Sequence, residues 1–275
     1  MEAVNPFEAG VFPEFLPPRH QLSFDGKGFL MNKIPEVTLL FWVMKIAATT
    51  LGETAGDLLS MTLNVGYAVS SMILIGIFLM TLVTQLKSRS YHPLLYWTVI
   101  LSTSTAGTTM SDYMDRTLGL GYAKGSLILV TILALIFLYW RLSAHSFSVK
   151  NITTFKVEML YWTAILFSNT LGTALGDFLA DDSGLGFAGG ALLIGVLLLL
   201  TVAGYYFTRI SRTLLFWMAF VLTRPFGATM GDVLTKPAER GGLNFGTIGS
   251  SAILGGILIL LICYTTYKQA KTEKA

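Results

Sequence analysis

The chain has few charged residues, a single cysteine and three histidines. Only 13% of its 275 residues are charged and 53% are hydrophobic, whereas about a quarter of a soluble domain is charged. This balance is typical of an integral membrane protein. The lone Cys263 excludes an internal disulfide framework and a thiolate metal cluster. The formal net charge of +3 is too small to indicate a nucleic-acid partner.

Several functional signatures are also missing. The first thirty residues lack a basic start followed by an apolar core, so no cleavable signal peptide is expected. No nucleotide-binding motif is recognisable, so transport would have to draw on an ion gradient. The histidines, His20, His92 and His145, fall in segments predicted to be cytoplasmic, which disfavours a soft-metal site.

Eight apolar segments are long enough to cross about 30 Å of hydrocarbon as helices. They lie at roughly 35–58, 66–86, 93–113, 121–141, 158–179, 187–207, 213–234 and 247–267. Strand-like alternation is absent, and only helices satisfy the backbone internally at these lengths. The predicted fold is an all-α integral membrane protein with eight transmembrane helices.

One sequence pattern recurs four times: a tryptophan, a glycine ten residues later and an aspartate five residues after that. The copies are Trp42–Gly52–Asp57, Trp97–Gly107–Asp112, Trp162–Gly172–Asp177 and Trp217–Gly227–Asp232. The second span of each pair opens with Gly66-Tyr67-Ala68, Gly121-Tyr122-Ala123, Gly186-Phe187-Ala188 or a looser Asn244-Phe245-Gly246. Four tandem helical hairpins are therefore predicted. They would share one orientation, with internal pseudo-symmetry about the membrane normal.

The distances between successive tryptophans, 55, 65 and 55 residues, divide the chain into two halves. Basic residues concentrate at one end of the spans, so the positive-inside rule places both termini in the cytoplasm of a bacterial inner membrane. The predicted regions are a cytoplasmic or interfacial tail (1–33), a first membrane half of two hairpins (34–142), a cytoplasmic linker (143–156), a second membrane half (157–268) and a cytoplasmic C-terminal tail (269–275).

The repeated aspartates are candidates for an ion site, because a carboxylate within hydrocarbon costs a few kcal/mol. Glu53 adds a carboxylate one turn before Asp57, and Lys45 and Arg224 are predicted counter-charges, with snorkelling to the headgroups as the alternative. The predicted ion ligands are Asp57, Asp112, Asp177, Asp232, Glu53, Thr50, Thr54 and Thr109, of which the five carboxylates would hold a metal. The competing interpretation is structural: each aspartate stays hydrated at a helix end or caps a following turn.

Hard oxygen ligands suit Mn²⁺, Mg²⁺, Ca²⁺ or proton movement better than copper or zinc. No covalently bound cofactor is implied. The expected partners are the lipid bilayer, the transported cation and protons, and the sequence does not indicate a homo-oligomer.

Small residues spaced by four precede each aspartate and predict close helix packing. The packing glycines are Gly52, Gly56, Gly107, Gly172, Gly176, Gly227 and Gly231. The four motif tryptophans are predicted to anchor the spans at the membrane interface.

The phrases Lys-Ile-Pro-Glu-Val-Thr (33–38), Thr-Thr-Leu-Gly-Glu-Thr-Ala-Gly-Asp (49–57), Leu-Gly-Thr-Ala-Leu-Gly-Asp (171–177) and Leu-Thr-Arg-Pro-Phe-Gly-Ala-Thr-Met-Gly-Asp (222–232) resemble a bacterial family of integral membrane proteins with four tandem Gly-x-x-x-Gly-Asp hairpin repeats. The resemblance runs from Lys33 to about Tyr267. It implies eight spans and four repeats, and it supplies no substrate. Gly-Glu-Thr-Ala-Gly-Asp (52–57) also looks like the Glu/Gly/Asp signatures of several Mn²⁺ and Ca²⁺ transporter families.

The leading hypothesis is a secondary transporter or exporter of a hard divalent cation, with Mn²⁺ the first choice. It would work by rocking of one half against the other about the linker. The alternatives are a cation channel with an acidic ring and a structural or assembly membrane protein without transport activity. An enzyme is not predicted, because the Gly-x-Gly-Asp pattern of membrane aspartyl proteases is absent.

Overall fold

The computed structural model describes residues 33–88, 90–144, 152 and 154–273, which form eight α-helices without a β-strand. The predicted all-α class and the number of helices are confirmed. The helices are α1 (Leu39–Asp57), α2 (Tyr67–Lys87), α3 (Pro93–Asp112), α4 (Tyr122–Ala144), α5 (Phe155–Asp177), α6 (Gly186–Phe207), α7 (Arg212–Thr235) and α8 (Gly246–Glu273). The predicted N-terminal tail, apart from Lys33, and most of the predicted linker lie outside the described residues.

Local sequence signals account for several helix starts. The Thr38 hydroxyl caps α1 by accepting a hydrogen bond from the Phe41 amide at 3.3 Å, and Thr154 caps α5 through the Val157 amide at 3.3 Å. Such caps satisfy amides that have no partner within the helix. Pro93 begins α3, where its missing N–H costs nothing.

Four inner helices form a closed ring. α1 packs on α3, α3 on α5, α5 on α7, and α7 on α1. The helices run in the same direction, because their tryptophan ends meet at one end of the ring and their aspartate ends meet at the other. The ring therefore places the four copies of the motif around one central axis.

The other four helices surround the ring, and each packs on the inner helix of the next repeat. α2 lies on α3, α4 on α5, α6 on α7 and α8 on α1. The two helices of one repeat are thus not each other's principal partners. The predicted halves also interlock, because α4 covers α5 and α8 covers α1.

Five helices, namely α2, α4, α6, α7 and α8, are long and apolar enough to cross a membrane. The outer four have mean hydropathies of 2.1 or more, and at most 28% of the spanning window is buried. The inner helix α7 has a mean hydropathy of 1.2 and is 61% buried. The chain thus places its most apolar helices outside and its polar residues inside.

The motif glycines lie where neighbouring inner helices touch. A Cβ atom on Gly107 would come within 2.9 Å of the Thr170 backbone nitrogen, and one on Gly172 within 2.9 Å of the Pro225 backbone nitrogen. Gly52 faces Ser104 and Gly227 faces Thr49 in the same manner, which completes the ring. The second glycines of the pairs also contact the next helix: Gly56 lies against Thr108, Gly176 against Ala228, and Gly231 against Glu53.

We expect Gly227→Ala to destabilise the protein by about 1–3 kcal/mol, the usual cost of overpacking a tight contact. The new methyl group would lie 2.9 Å from the Thr49 backbone carbon. Gly249→Ala in α8 is the matched control, because its Cβ would have no neighbour within 4 Å. Denaturant unfolding of the purified variants measures the difference, and equal stability of both variants would contradict this account of the ring.

The prediction that the motif tryptophans anchor the spans at the membrane interface is wrong for Trp97, Trp162 and Trp217, which are buried, whereas Trp42 is half-buried. Trp97 and Trp162 are 1% exposed and lie in the core. Each tryptophan packs against the aromatic residue that precedes the tryptophan of a neighbouring repeat. The ring centroids are 5.6 Å apart for Phe41–Trp97, 5.7 Å for Tyr96–Trp162, 6.1 Å for Tyr161–Trp217 and 5.8 Å for Trp42–Phe216. We call this closed set the aromatic ring; it seals the end of the axis opposite the aspartates.

The turns before the outer helices correct the reading of the fourth repeat. In every repeat a left-handed residue stands two positions before a left-handed glycine: Asn64 before Gly66, Gly119 before Gly121, Gly184 before Gly186, and Asn244 before Gly246. Glycine, and asparagine more than most other residues, tolerates this conformation. The copy of Gly66-Tyr67-Ala68 is therefore Gly246-Thr247-Ile248, two residues later than the sequence suggested.

Candidate cation site at the aspartate end of the ring

Inward-facing residues of the inner helices form five layers along the axis, each four residues further along the chain. All twenty side chains are at most 7% exposed. From the aromatic ring to the aspartates, the layers are Phe41, Tyr96, Tyr161 and Phe216; Lys45, Ile100, Ile165 and Phe220; Thr49, Ser104, Asn169 and Arg224; Glu53, Thr108, Thr173 and Ala228; and Asp57, Asp112, Asp177 and Asp232.

The four aspartates lie at or near the C-terminal ends of the inner helices as two pairs, each bridged by one cation. Lys236 Nζ lies 2.7 Å from Asp57 Oδ2 and 3.2 Å from Asp232 Oδ1. On the other side of the axis, Arg116 Nε lies 3.0 Å from Asp112 Oδ1 and Nη2 lies 3.3 Å from Asp177 Oδ2. Both cations follow an aspartate by four residues, one helical turn. They are more exposed than the carboxylates they bridge, so they stand at the mouth of the axis.

After Asp57, Asp112 and Asp177 the chain continues into a single π-helical turn, at Leu58–Thr62, Tyr113–Thr117 and Phe178–Asp182 respectively. Such turns are rare and occur often at functional sites. The fourth inner helix instead ends at Thr235, and Lys236 and Pro237 follow. The cation Lys236 therefore sits where the fourth repeat departs from the other three.

One layer deeper, Glu53 and Arg224 form a buried ion pair that touches all four inner helices. Both terminal nitrogens of Arg224 donate to Glu53 Oε2 at 3.0 Å. Nη2 also donates to the hydroxyls of Thr108 at 2.6 Å and Thr173 at 2.7 Å. Each hydroxyl lies 3.2 Å from Glu53 Oε2 and donates to it in turn. The guanidinium is therefore held by one carboxylate and two threonines at the centre of the ring.

We expect Arg224→Met to destabilise the protein by about 3–5 kcal/mol, because removal of one partner leaves the other as an uncompensated buried charge. The double variant Glu53→Gln/Arg224→Met should recover much of this loss. Thermal or denaturant unfolding of both single variants and the double variant measures the coupling. Additive losses in the double variant would contradict the pairing.

The structure brings together three of the five predicted metal-binding carboxylates. One oxygen each from Glu53, Asp57 and Asp232 lie within 4.8 Å of one another. Asp112 and Asp177 instead face Arg116. Sequence reasoning missed Arg116 and Lys236 as members of the site, because both lie beyond the ends of the predicted spans at 93–113 and 213–234. Their spacing of four residues from Asp112 and Asp232 was the available signal.

The predicted hydroxyl ligands and one predicted counter-charge lie elsewhere. The hydroxyls of Thr50, Thr54 and Thr109 donate to carbonyls of their own helices, and Thr54 also accepts from Ser251 of α8. Lys45 is fully buried, and its Nζ makes no hydrogen bond or ion pair within the described part of the chain. Thr108 and Thr173 are the hydroxyls that reach the carboxylate layer.

The difference between the predicted and the observed hydroxyls comes from the spacing used to choose residues on the inward face of the helix. Thr50 was predicted as a ligand because it stands seven residues, about two helical turns, before Asp57. In this structure the inward-facing positions recur every four residues, which is also the spacing of the glycine pairs. A four-residue spacing is typical of helices whose i, i+4 ridges of side chains interdigitate. A step of four from Asp57 reaches Glu53 and then Thr49.

The carboxylate layers carry more negative than positive charge. Glu53 and the four aspartates face Arg224, Arg116 and Lys236, so five negative charges meet three positive ones. Burial lowers the pKa of Lys236, but the carboxylates of Asp232 and Asp57 outweigh that effect and raise the pKa above its ordinary value. Lys236 is thus charged at neutral pH, and the site retains an excess of two negative charges when all its carboxylates are ionised.

Comparison with known proteins places the repeats in a family. A family model described as Repeat of Unknown Function (DUF347) matches four successive segments, residues 40–91, 95–146, 160–211 and 215–271. The four tandem repeats predicted from the tryptophan spacing are confirmed. No curated protein and no solved structure matches the chain.

Proposed function

Because the chain belongs to the Repeat of Unknown Function family, whose name specifies no activity, we propose its function from the geometry of the site: a secondary membrane transporter or exporter of a hard divalent cation. The observation that carries the proposal is the formal excess of two negative charges at the two carboxylate layers. One divalent cation, or two protons, neutralises that excess. A transporter that exchanges the two would keep the site balanced at each stage.

The proposal places all eight helices across a bacterial inner membrane, as four repeats in one orientation. The outer helices expose large apolar side chains, among them Met72 of α2, Leu127 of α4, Leu199 of α6 and Leu260 of α8. A continuous apolar surface of this kind fits contact with lipid. The inner helices pack along the outer helices, so in this proposal they cross the membrane together with them. The distribution of basic residues puts the aromatic ring toward the cytoplasm and the aspartates toward the outside.

The convergent oxygens of Glu53, Asp57 and Asp232 are the proposed metal ligands. Carboxylate oxygens suit Mn²⁺, Mg²⁺ and Ca²⁺ rather than soft metals. Ca²⁺ takes about six to eight oxygen ligands and Mg²⁺ gives up its water reluctantly. Three carboxylates converging from two adjacent buried layers therefore favour Mn²⁺ as the first candidate.

A carrier fits the axis better than a channel does. The polar layers end at Lys45, Ile100, Ile165 and Phe220, and the aromatic ring closes the axis beyond them. A channel would need a polar path through both layers. The interlocking of α4 with α5 and of α8 with α1 opposes rocking of the two halves, so we place the movement that opens the inner end at the aromatic ring.

Cellular metal content tests the proposal. The protein is expressed in metal-sensitive bacteria, and Mn²⁺, Mg²⁺, Ca²⁺, Zn²⁺ and Cu²⁺ are measured against cells carrying the empty vector. We expect a change in Mn²⁺, with Zn²⁺ and Cu²⁺ unaffected. Purified protein in liposomes should then move Mn²⁺ when a proton gradient is imposed. Unchanged content of every hard cation, together with inactive liposomes, would contradict the proposed function and favour an assembly role.

A further inference from the structure

Lys45 is a buried cation that the proposed cation site does not use. Its side chain is fully buried, and its Nζ lies 4.1 Å above the centre of the Phe220 ring, without a hydrogen-bond partner in the part of the chain that the structure describes. The equivalent residues of the other repeats, Ile100, Ile165 and Phe220, are all apolar. Lysine at this position is therefore not required for packing of the layer.

No carboxylate of the described residues compensates Lys45. Arg224, one helical turn after Phe220 on α7, places a second buried positive charge in the adjoining layer. The next acid along the axis, Glu53, lies two layers away and is already bound by both terminal nitrogens of Arg224. The middle of the axis thus holds two buried cations and one carboxylate.

The axis holds a second unsatisfied donor, on Arg224, besides the ammonium of Lys45. The Nε of Arg224 is buried and has no acceptor among the described residues. Loss of a proton from Lys45 would relieve the unpaired ammonium, but it would leave this N–H without an acceptor, because arginine does not deprotonate in proteins. A single bound acceptor with negative charge satisfies both requirements. Buried charges are otherwise paired, since desolvation of an isolated charge is costly.

We propose that Lys45 and Arg224 together bind one small monovalent anion on the axis, between the aromatic ring and the Glu53 carboxylate. The recognising chemistry is an ammonium and a guanidinium N–H in a water-poor layer beside the Phe220 ring. Either a halide or the carboxylate group of a small organic acid carries the required charge. This anion site is separate from the carboxylate cluster and goes beyond the proposed cation transport.

Thermal unfolding in different salts tests the anion site. Full-length protein is purified in sodium gluconate, whose anion is large, and is titrated with chloride or acetate at constant sodium concentration and ionic strength. Ligands that bind only the folded protein raise the unfolding midpoint in a saturable way. We expect saturable stabilisation by chloride, by acetate or by both, and the stronger response distinguishes a halide from a carboxylate ligand.

Two lysine variants locate the effect. Lys45→Met should remove the saturable response and leave the midpoint in gluconate equal to or above that of the wild type, because an unpaired charge is lost. Lys124→Met, at an exposed lysine of α4, should respond as the wild type does. If Lys45→Met fails to fold, Lys45→Gln takes its place.

A wild-type midpoint that is the same in chloride, acetate and gluconate would overturn the anion site, even if the protein transports Mn²⁺. An unchanged anion response in Lys45→Met would overturn it as well. Failure of the cation proposal has a different signature, which is the absence of Mn²⁺ transport with the anion response intact.

Discussion

Asp57→Asn is expected to abolish Mn²⁺ transport and to weaken Mn²⁺ binding to the purified protein on the order of 100-fold or more. The substitution removes one of three converging carboxylates and leaves the Lys236 ammonium with a single partner, Asp232. Truncation of one member of a buried charge pair costs about 2–5 kcal/mol, and each 1.4 kcal/mol is roughly tenfold in affinity. Calorimetric titration with Mn²⁺ and uptake into liposomes measure the two effects.

Two further aspartate variants provide the comparison for Asp57→Asn. Asp181→Asn changes an exposed carboxylate at the same end of the protein and should leave binding and transport intact. Asp177→Asn removes a carboxylate that faces Arg116 instead of the three-carboxylate set, so it should weaken binding less than Asp57→Asn does. Wild-type binding and transport in Asp57→Asn would contradict the cation site.

The repeats and the helix positions could be predicted from the sequence because each depends on local information. A tryptophan, a glycine and an aspartate at fixed spacing mark each inner helix, and apolar length marks each outer one. The location of the aspartates at one end of the molecule also follows, since each repeat contains an even number of helices.

The pairing of helices could not be predicted in the same way. Nothing in the spacing distinguishes an outer helix that packs on its own inner helix from one that packs on the next. The structure selects the second arrangement, which closes the ring: α8 covers α1 and joins the last repeat to the first. This choice depends on contacts between residues that are far apart in sequence.

Prediction of the side-chain partners requires the four-residue period as well as the arrangement of the inner helices in a ring. A seven-residue step selected Thr50, and a four-residue step selects Glu53 and Thr49. Once the ring is closed, a residue on one helix meets residues of the same or the next layer on its neighbours. Arg224, for example, meets Glu53, Thr108 and Thr173, which occupy the next layer on the other three inner helices.

The departures from fourfold symmetry concentrate on the axis. Threonine, serine and asparagine occupy one layer in three repeats where the fourth has Arg224, and Lys45 replaces an apolar residue in the first. The cations at the mouth come only from the second and fourth repeats. Four similar repeats thus build the scaffold, and a few charged substitutions make one side of the axis chemically different from the other.

Lys236→Met is expected to strengthen Mn²⁺ binding about tenfold or more while it destabilises the cation-free protein. Lys236 Nζ already stands between Asp57 and Asp232, where a bound cation would stand, so the two compete. Two unit charges about 4 Å apart interact by roughly 4 kcal/mol near a protein surface, which sets the scale of the gain. Without a cation, the unpaired carboxylates should lower the unfolding midpoint, and Mn²⁺ should restore it.

Arg116→Met is the matched control for this last effect. It also unbridges two aspartates, Asp112 and Asp177, but that pair lies outside the three-carboxylate set. Arg116→Met should therefore lose stability, with little recovery in Mn²⁺. Equal recovery of both variants would assign the metal to all four aspartates alike. No recovery of either would mean that the ammonium of Lys236 is a structural counter-ion and not the occupant of a cation site.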